Sequence, residues 1–222
     1  MRGALMGGTI LLFGGRSGTG LEIARAARAG GFAVTAAVRP GADVAPLTEP
    51  GCQVVEADAL DAVAVARAFD GFPQEGFVVS TLGGRAPDGG FVDDRGNRHV
   101  VEAAVAVGAA HLLLVSSLGA GDSRAHASDR LLAAIGDVLW AKTRAEEHLA
   151  ASGLPFTILR PGGLVNGGPT GTGRLGPAPD RHGFLTRGEL AALALGCLGD
   201  AGQFGRTLSA VDPLCPPPRR TA

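Results

Sequence analysis

The chain has 222 residues, enough for one α/β domain, and 45% of them are hydrophobic, enough to bury a sizeable core. Its 20 Lys and Arg against 21 Asp and Glu leave a net charge of −1, which excludes the basic footprint of a nucleic-acid binder or a membrane-surface protein. The three cysteines, Cys52, Cys197 and Cys215, are odd in number and lack metal-ligand spacing, so neither a disulfide framework nor a metal site is expected. No apolar run reaches transmembrane length and residues 1–4 open no signal peptide, so a soluble, reducing, cytoplasmic setting is the expectation.

Thr9–Phe13 is a short apolar run of the kind a buried parallel strand needs. It runs into Gly14-Gly15-Arg16-Ser17-Gly18-Thr19-Gly20 and then a helical pattern over 21–29, which Gly30-Gly31 stops. Strands are predicted over 32–38, 52–56, 76–81 and 111–117, with helices over 62–69, 92–107 and about 136–151. A sixth strand over 155–159 is stopped by Arg160-Pro161-Gly162-Gly163. Residues 166–183 then carry six glycines and three prolines, too many for a buried connection, and such loops are functional or mobile. Thr186 followed by Glu189 reads as the capping box of a last helix, 206–211 as a final strand, and the proline-rich 213–222 as a disordered tail. This alternation predicts a single doubly wound Rossmann domain over 1–212, with a mostly parallel sheet of six to seven strands. Residues 166–183 are placed as a substrate loop over the carboxyl ends of those strands.

The glycine loop carries the chemistry. Gly14, Gly18 and Gly20 allow a tight turn, a close backbone approach to a pyrophosphate and helix-on-strand packing, while the helix N-terminus offers free N–H groups to the anion. Its spacing, Gly-x-x-x-Gly-x-Gly, departs from Gly-x-Gly-x-x-Gly, so the signal comes from its position between a strand and a helix. An ordinary strand–helix turn is the alternative. The second strand ends Val38-Arg39-Pro40, and the next acid is Asp43. A carboxylate there would repel the 2′-phosphate of NADP, whereas Arg39, with Arg16 from the other side, would pair with it. NADP is therefore expected over NAD, the alternative being two solvated arginines.

Residues 13–21, 92–97, 114–120, 142–146 and 152–162 together resemble the atypical short-chain dehydrogenase/reductase group, which includes NmrA-like and flavin/biliverdin-reductase-like proteins. The likeness runs over about 8–212. It implies a cofactor set of Gly14, Arg16, Ser17, Gly18, Thr19, Gly20, Arg39, Asp58, Ala59, Thr81, Leu82, Gly83, Ser116, Lys142, Pro161, Gly162 and Gly163. Asp58 would approach the adenine amino group, Thr81-Leu82-Gly83 would pass the adenosine ribose, and Pro161-Gly162-Gly163 would touch the nicotinamide amide. Asp58 as a helix cap and Pro161-Gly162 as a plain turn remain alternatives.

The best-known branch of that superfamily uses a Tyr-x-x-x-Lys pair. Lys142 aligns with its lysine, but Val138 stands four residues earlier and the sequence contains no tyrosine. A tyrosine relay is impossible. The catalytic candidates are Ser117, matching the superfamily's serine, Lys142 as a holder of ribose hydroxyls, and His126 as a proton donor. Their alternatives are a backbone-satisfied hydroxyl, a solvated charge beside Glu146 and a surface histidine. Trp140 is expected in the core. Three readings follow: an NADPH-dependent reductase of a small conjugated or aromatic substrate, favoured here; an NmrA-like redox sensor; and a non-redox isomerase or epimerase. A homodimer is left open.

Overall fold

Both faces of the central strands are apolar, so each strand has to be covered on two sides. The computed structural model describes residues 7–218. In chain order it contains β1 (Thr9–Phe13), α1 (Gly18–Ala29), β2 (Ala33–Val38), the single turn α2 (Ala45–Thr48), β3 (Gln53–Glu56), α3 (Ala62–Ala68) and β4 (Phe77–Ser80). There follow α4 (Val92–Val107), β5 (His111–Val115), a 3-10 helix (Gly121–His126), α5 (Asp129–Ala150) and β6 (Phe156–Pro161). The chain then forms β7 (Gly163–Val165), β8 (Arg174–Gly176), β9 (Phe184–Thr186), α6 (Arg187–Cys197), a short 3-10 turn (Ala201–Gln203) and β10 (Arg206–Val211).

The main sheet runs β3-β2-β1-β4-β5-β6-β10-β8, parallel throughout except for β8 against β10. Alternation along the strands divides their side chains between two cores. Ile10, Leu12, Val34, Val79, Leu113 and Leu159 meet α1 and α6 through Ile23, Ala24, Leu190 and Ala194. Leu11, Phe13, Val78, Leu112, Leu114 and Ile158 meet α3, α4 and α5 through Val65, Val100, Ala104, Ala145 and Leu149. Each fully buried Leu, Ile or Phe of this kind contributes about 1.5–3 kcal/mol. The chain leaves β1 toward β2 on one side and returns to β4 on the other. The carboxyl ends of β1 and β4 therefore open a crevice where the strand order reverses.

The doubly wound fold is as expected, with an eighth strand in the main sheet. That strand is β8, inside the expected loop 166–183; β7 and β9 pair beside it as a two-stranded parallel ribbon. The loop is held by two carboxylates. Glu189, 3% exposed, accepts from the backbone N–H of Thr170, Gly171 and Gly173 at 2.7–2.8 Å. Asp212 accepts from the hydroxyls of Thr170 and Thr172 at 2.6 and 2.8 Å. The capping box is thus only half formed. Thr186 accepts from the Glu189 N–H at 3.0 Å, but the Glu189 carboxylate serves the loop instead.

Other boundaries move for local reasons. α1 begins at Gly18 inside the glycine loop, and α3 is capped by Asp61, whose carboxylate accepts from Val63 and Ala64. α5 begins at Asp129 behind a Ser128 cap and breaks at Ile135 (φ −139°, ψ 20°), so only the stretch after the break reads as helix in the sequence. Trp140 is a correction: it is 48% exposed on α5, not in the core, and its ring is covered by the Arg124 guanidinium at 4.5 Å. No helix among the described residues is long and apolar enough to cross a membrane. Of the expected tail, 219–222 lie outside the described residues.

Candidate nucleotide groove and reaction site

The glycine loop is shaped by two contacts that exclude side chains. Gly14 adopts φ +82°, and a Cβ there would lie 2.6 Å from Thr81 Oγ1, whose hydroxyl donates to the Gly14 carbonyl at 3.0 Å. A Cβ on Gly20 would lie 2.2 Å from the same carbonyl oxygen, so any side chain at 20 would push the loop away from α1. Ser17 is the N-cap of α1, yet its hydroxyl makes no capping bond, and no acid occupies the first helical turn. The first N–H groups of a 12-residue helix and a free hydroxyl therefore face outward together, the arrangement an anion needs.

Two cavities meet over this loop. One, of about 370 Å³, is lined by Gly14, Arg16, Ser17, Arg39, Asp58, Ala59, Thr81, Leu82 and Gly83, joined by Arg85. The other, of about 470 Å³, is lined by Ser17, Gly18, Thr19, Gly20, Thr81, Leu82, Gly83, Ser116, Ser117, Lys142, Pro161, Gly162 and Arg187. Ser17, Thr81, Leu82 and Gly83 belong to both, so the two form one groove along the carboxyl ends of β1, β4, β5 and β6. Asp58 forms a local turn, its carboxylate accepting from Leu60 N–H at 2.9 Å, and the helix cap is Asp61. Gly163 stands apart from the lining. It pairs in β7, and a Cβ there would strike the Phe184 ring at 2.4 Å.

At the far end of the groove the two adjacent serines differ. Ser117 donates its hydroxyl to the Leu118 carbonyl at 2.9 Å. Ser116 Oγ is buried and makes no hydrogen bond within the protein. Both serines follow the end of β5 and line the same cavity, so they differ in their hydrogen bonding and not in which cavity they reach. Lys142 lies on α5 and lines the cavity that both serines border. Its ammonium is 2.9 Å from Asp93 Oδ1, while Glu146, one turn on, is taken by Arg160 in a buried bidentate pair at 2.7 and 3.1 Å. Asp122 also binds Arg160, which ties the 3-10 helix down beside the groove. Burial opposes the Arg160 charge, but Glu146 and then Asp122 outweigh it and hold its pKa above the ordinary value.

These features suit a dinucleotide, and the chain is similar to proteins that bind one. A model of a family described as NAD(P)H-binding matches residues 14–201. The chain belongs to the NAD(P)H-binding family. A solved structure described as ChuY, an anaerobillin reductase from Escherichia coli O157:H7, is 34% identical, with a TM-score of 0.86 over 95% of this chain and 100% of that one. An uncharacterized sugar epimerase, YhfK of Bacillus subtilis, is 34% identical over 52% of this chain and 51% of its own length. Sanguinarine reductase of Eschscholzia californica is 35% identical over 45% of this chain and 37% of its own. The chain thus spans about half or less of the length of these two curated relatives.

Within this NAD(P)H-binding chain, His126 is not brought to the groove. It lines a separate cavity of about 220 Å³ with Arg181 and His182, which shares no lining residue with the Lys142 end. One groove residue, Arg187, and one buried residue behind the groove, Asp93, carried no signal of their own in the sequence. Arg187, the first residue of α6, donates to Asn166 Oδ1 at 2.9 Å, and a Cβ on Gly18 would lie 3.6 Å from its Nε. Its guanidinium therefore overhangs the glycine loop, a position fit for a phosphate. Asp93 belongs to the 92–97 stretch that carries the family resemblance, but an acid in a helix's first turn ordinarily serves only the dipole, so its role was not written there.

Proposed function

We propose that the chain is an NADPH-dependent reductase of a small conjugated or aromatic substrate, working without a catalytic tyrosine. The observation that carries this reading is the Lys142 end of the groove. There an unpartnered buried hydroxyl and a held ammonium border about 470 Å³ of space, enough for a nicotinamide with an acceptor above it. Two of the similar proteins are themselves named reductases, which supports a redox reading over an epimerase one.

Bound NADPH would supply the hydride. The chain's residues do the rest. The α1 N-terminus, with Arg187 above it, takes the pyrophosphate. Arg16 and Arg39, both exposed at the adenosine end and without a carboxylate partner among the described residues, take the 2′-phosphate and favour NADPH over NADH. Ser116 takes the hydrogen-bonding role first expected of Ser117, because Ser117 is spent on the backbone. It donates to charge developing on the substrate, and water delivers the proton that balances the hydride. Lys142 holds the nucleotide and keeps the local potential positive.

The test is NADPH consumption, followed by its absorbance, against a panel of flavins, quinones and enones. Turnover with at least one class, faster with NADPH than NADH and losing that preference in Arg39→Ala, is expected. Tight NADPH binding with no turnover across the panel would overturn the reductase reading in favour of a sensor.

A further inference from the structure

We propose that Asp93 is a positioning residue that acts through Lys142: its carboxylate fixes the ammonium at the reaction end of the groove and links it to the 83–84 turn on the adenosine side. The residue is 1% exposed, and a buried carboxylate persists only where both oxygens are satisfied. Both are. Oδ1 meets Lys142 Nζ at 2.9 Å, and Oδ2 accepts from the Gly84 N–H at 2.8 Å. A Cβ on Gly83, which lines both cavities, would sit 3.0 Å from Oδ1, so the turn rests directly on this carboxylate. Asp93 also lies in the first turn of α4, where the helix dipole favours its charge.

Lys142 depends on this contact. A lysine's four-carbon stem leaves the ammonium free to wander unless something holds it. The other carboxylate within reach along its helix, Glu146, is engaged by Arg160. Among the described residues Asp93 is the partner of Lys142, and one of three N–H bonds satisfies it, leaving two for groups in the groove. A single buried carboxylate thereby sets the spacing between a cation at one end of the nucleotide and a backbone turn at the other. The inference rests on NAD(P)H binding and not on the reductase reading, so a failure of turnover leaves it intact.

The test is the NADPH dissociation constant, by calorimetry on the full chain, for wild type, Asp93→Asn, Lys142→Met and the double variant, each confirmed folded by its melting transition. Asn keeps an acceptor for Gly84 and removes the charge. Each single change is expected to weaken binding about tenfold, and the double to bind no worse than Lys142→Met, because an absent ammonium needs no positioning. An additive loss of about 100-fold in the double would overturn the proposal, since Asp93 would then act through the backbone turn. Unchanged affinity in either single variant would overturn it equally. Should Asp93→Asn fail to fold with its ammonium unpaired, Lys142→Met against the double still decides: equal affinities support the proposal and a further tenfold loss refutes it.

Discussion

At the scale of single residues, one peptide step separates a hydroxyl the protein uses up from one it leaves open. Ser117 spends its one donor on the Leu118 carbonyl. Ser116 lines the same cavity as Lys142 and is 5% exposed with no partner for its hydroxyl. An unmade hydrogen bond in such a place costs about 1–3 kcal/mol, which a ligand oxygen would relieve. Ser116→Ala is therefore expected to lower turnover on any substrate found by about 10²–10³-fold, and Ser117→Ala by less than about threefold. Steady-state rates of the two variants check this; a reversed order would return the role to Ser117. The sequence shows two serines at the end of an apolar run, and only the folded hydrogen bonding tells which hydroxyl is left open.

At the scale of elements, the glycine loop and the first six strands were legible because short continuous apolar runs and glycine stops are local signals. The 170–176 segment was not. Its structure depends on Glu189 and Asp212, which lie far along the chain, and β8 is three residues long with one apolar side chain, too short to show a period. Burial raises the Glu189 pKa, but the N–H groups of Gly171, Thr170 and Gly173 together outweigh it and hold the carboxyl below its ordinary value. Its folded pKa lies below the unfolded one, so the stability it lends is complete above the ordinary carboxylate range and fades as pH falls through the folded value. Amide exchange at Gly171 and Gly173, corrected for intrinsic rates, is expected to be about tenfold faster in Glu189→Gln at neutral pH. Wild type should approach the variant on acidification. Identical protection in the two proteins at neutral pH would show that the strand pairing of β8 alone holds the loop.

At the scale of the whole molecule, the groove exists because a doubly wound sheet reverses its strand order between β1 and β4, and the residues converging there come from distant stretches of sequence. Gly14 to Gly20, Thr81 to Gly83, Ser116, Lys142, Pro161 and Arg187 are neighbours only through that topology. This is why the glycine loop, one contiguous stretch, carries its signal in sequence, while Arg187 and Asp93, brought in only by the topology, do not. In the proposed binding mode the nucleotide's pyrophosphate lies on the N-terminus of α1. The most direct test of that mode is NADPH binding by Gly18→Val. Gly18 sits at φ +55°, and a Cβ there would meet only the flexible Arg187 side chain, 3.6 Å away, unlike Gly20, which is clamped against backbone. A side chain there costs about 1–2 kcal/mol of backbone strain, which a domain survives, but it occupies the place of the phosphates. The account predicts a folded variant, shown by an intact cooperative melt, with NADPH affinity reduced at least ~100-fold. A folded Gly18→Val that binds NADPH as wild type does would contradict it.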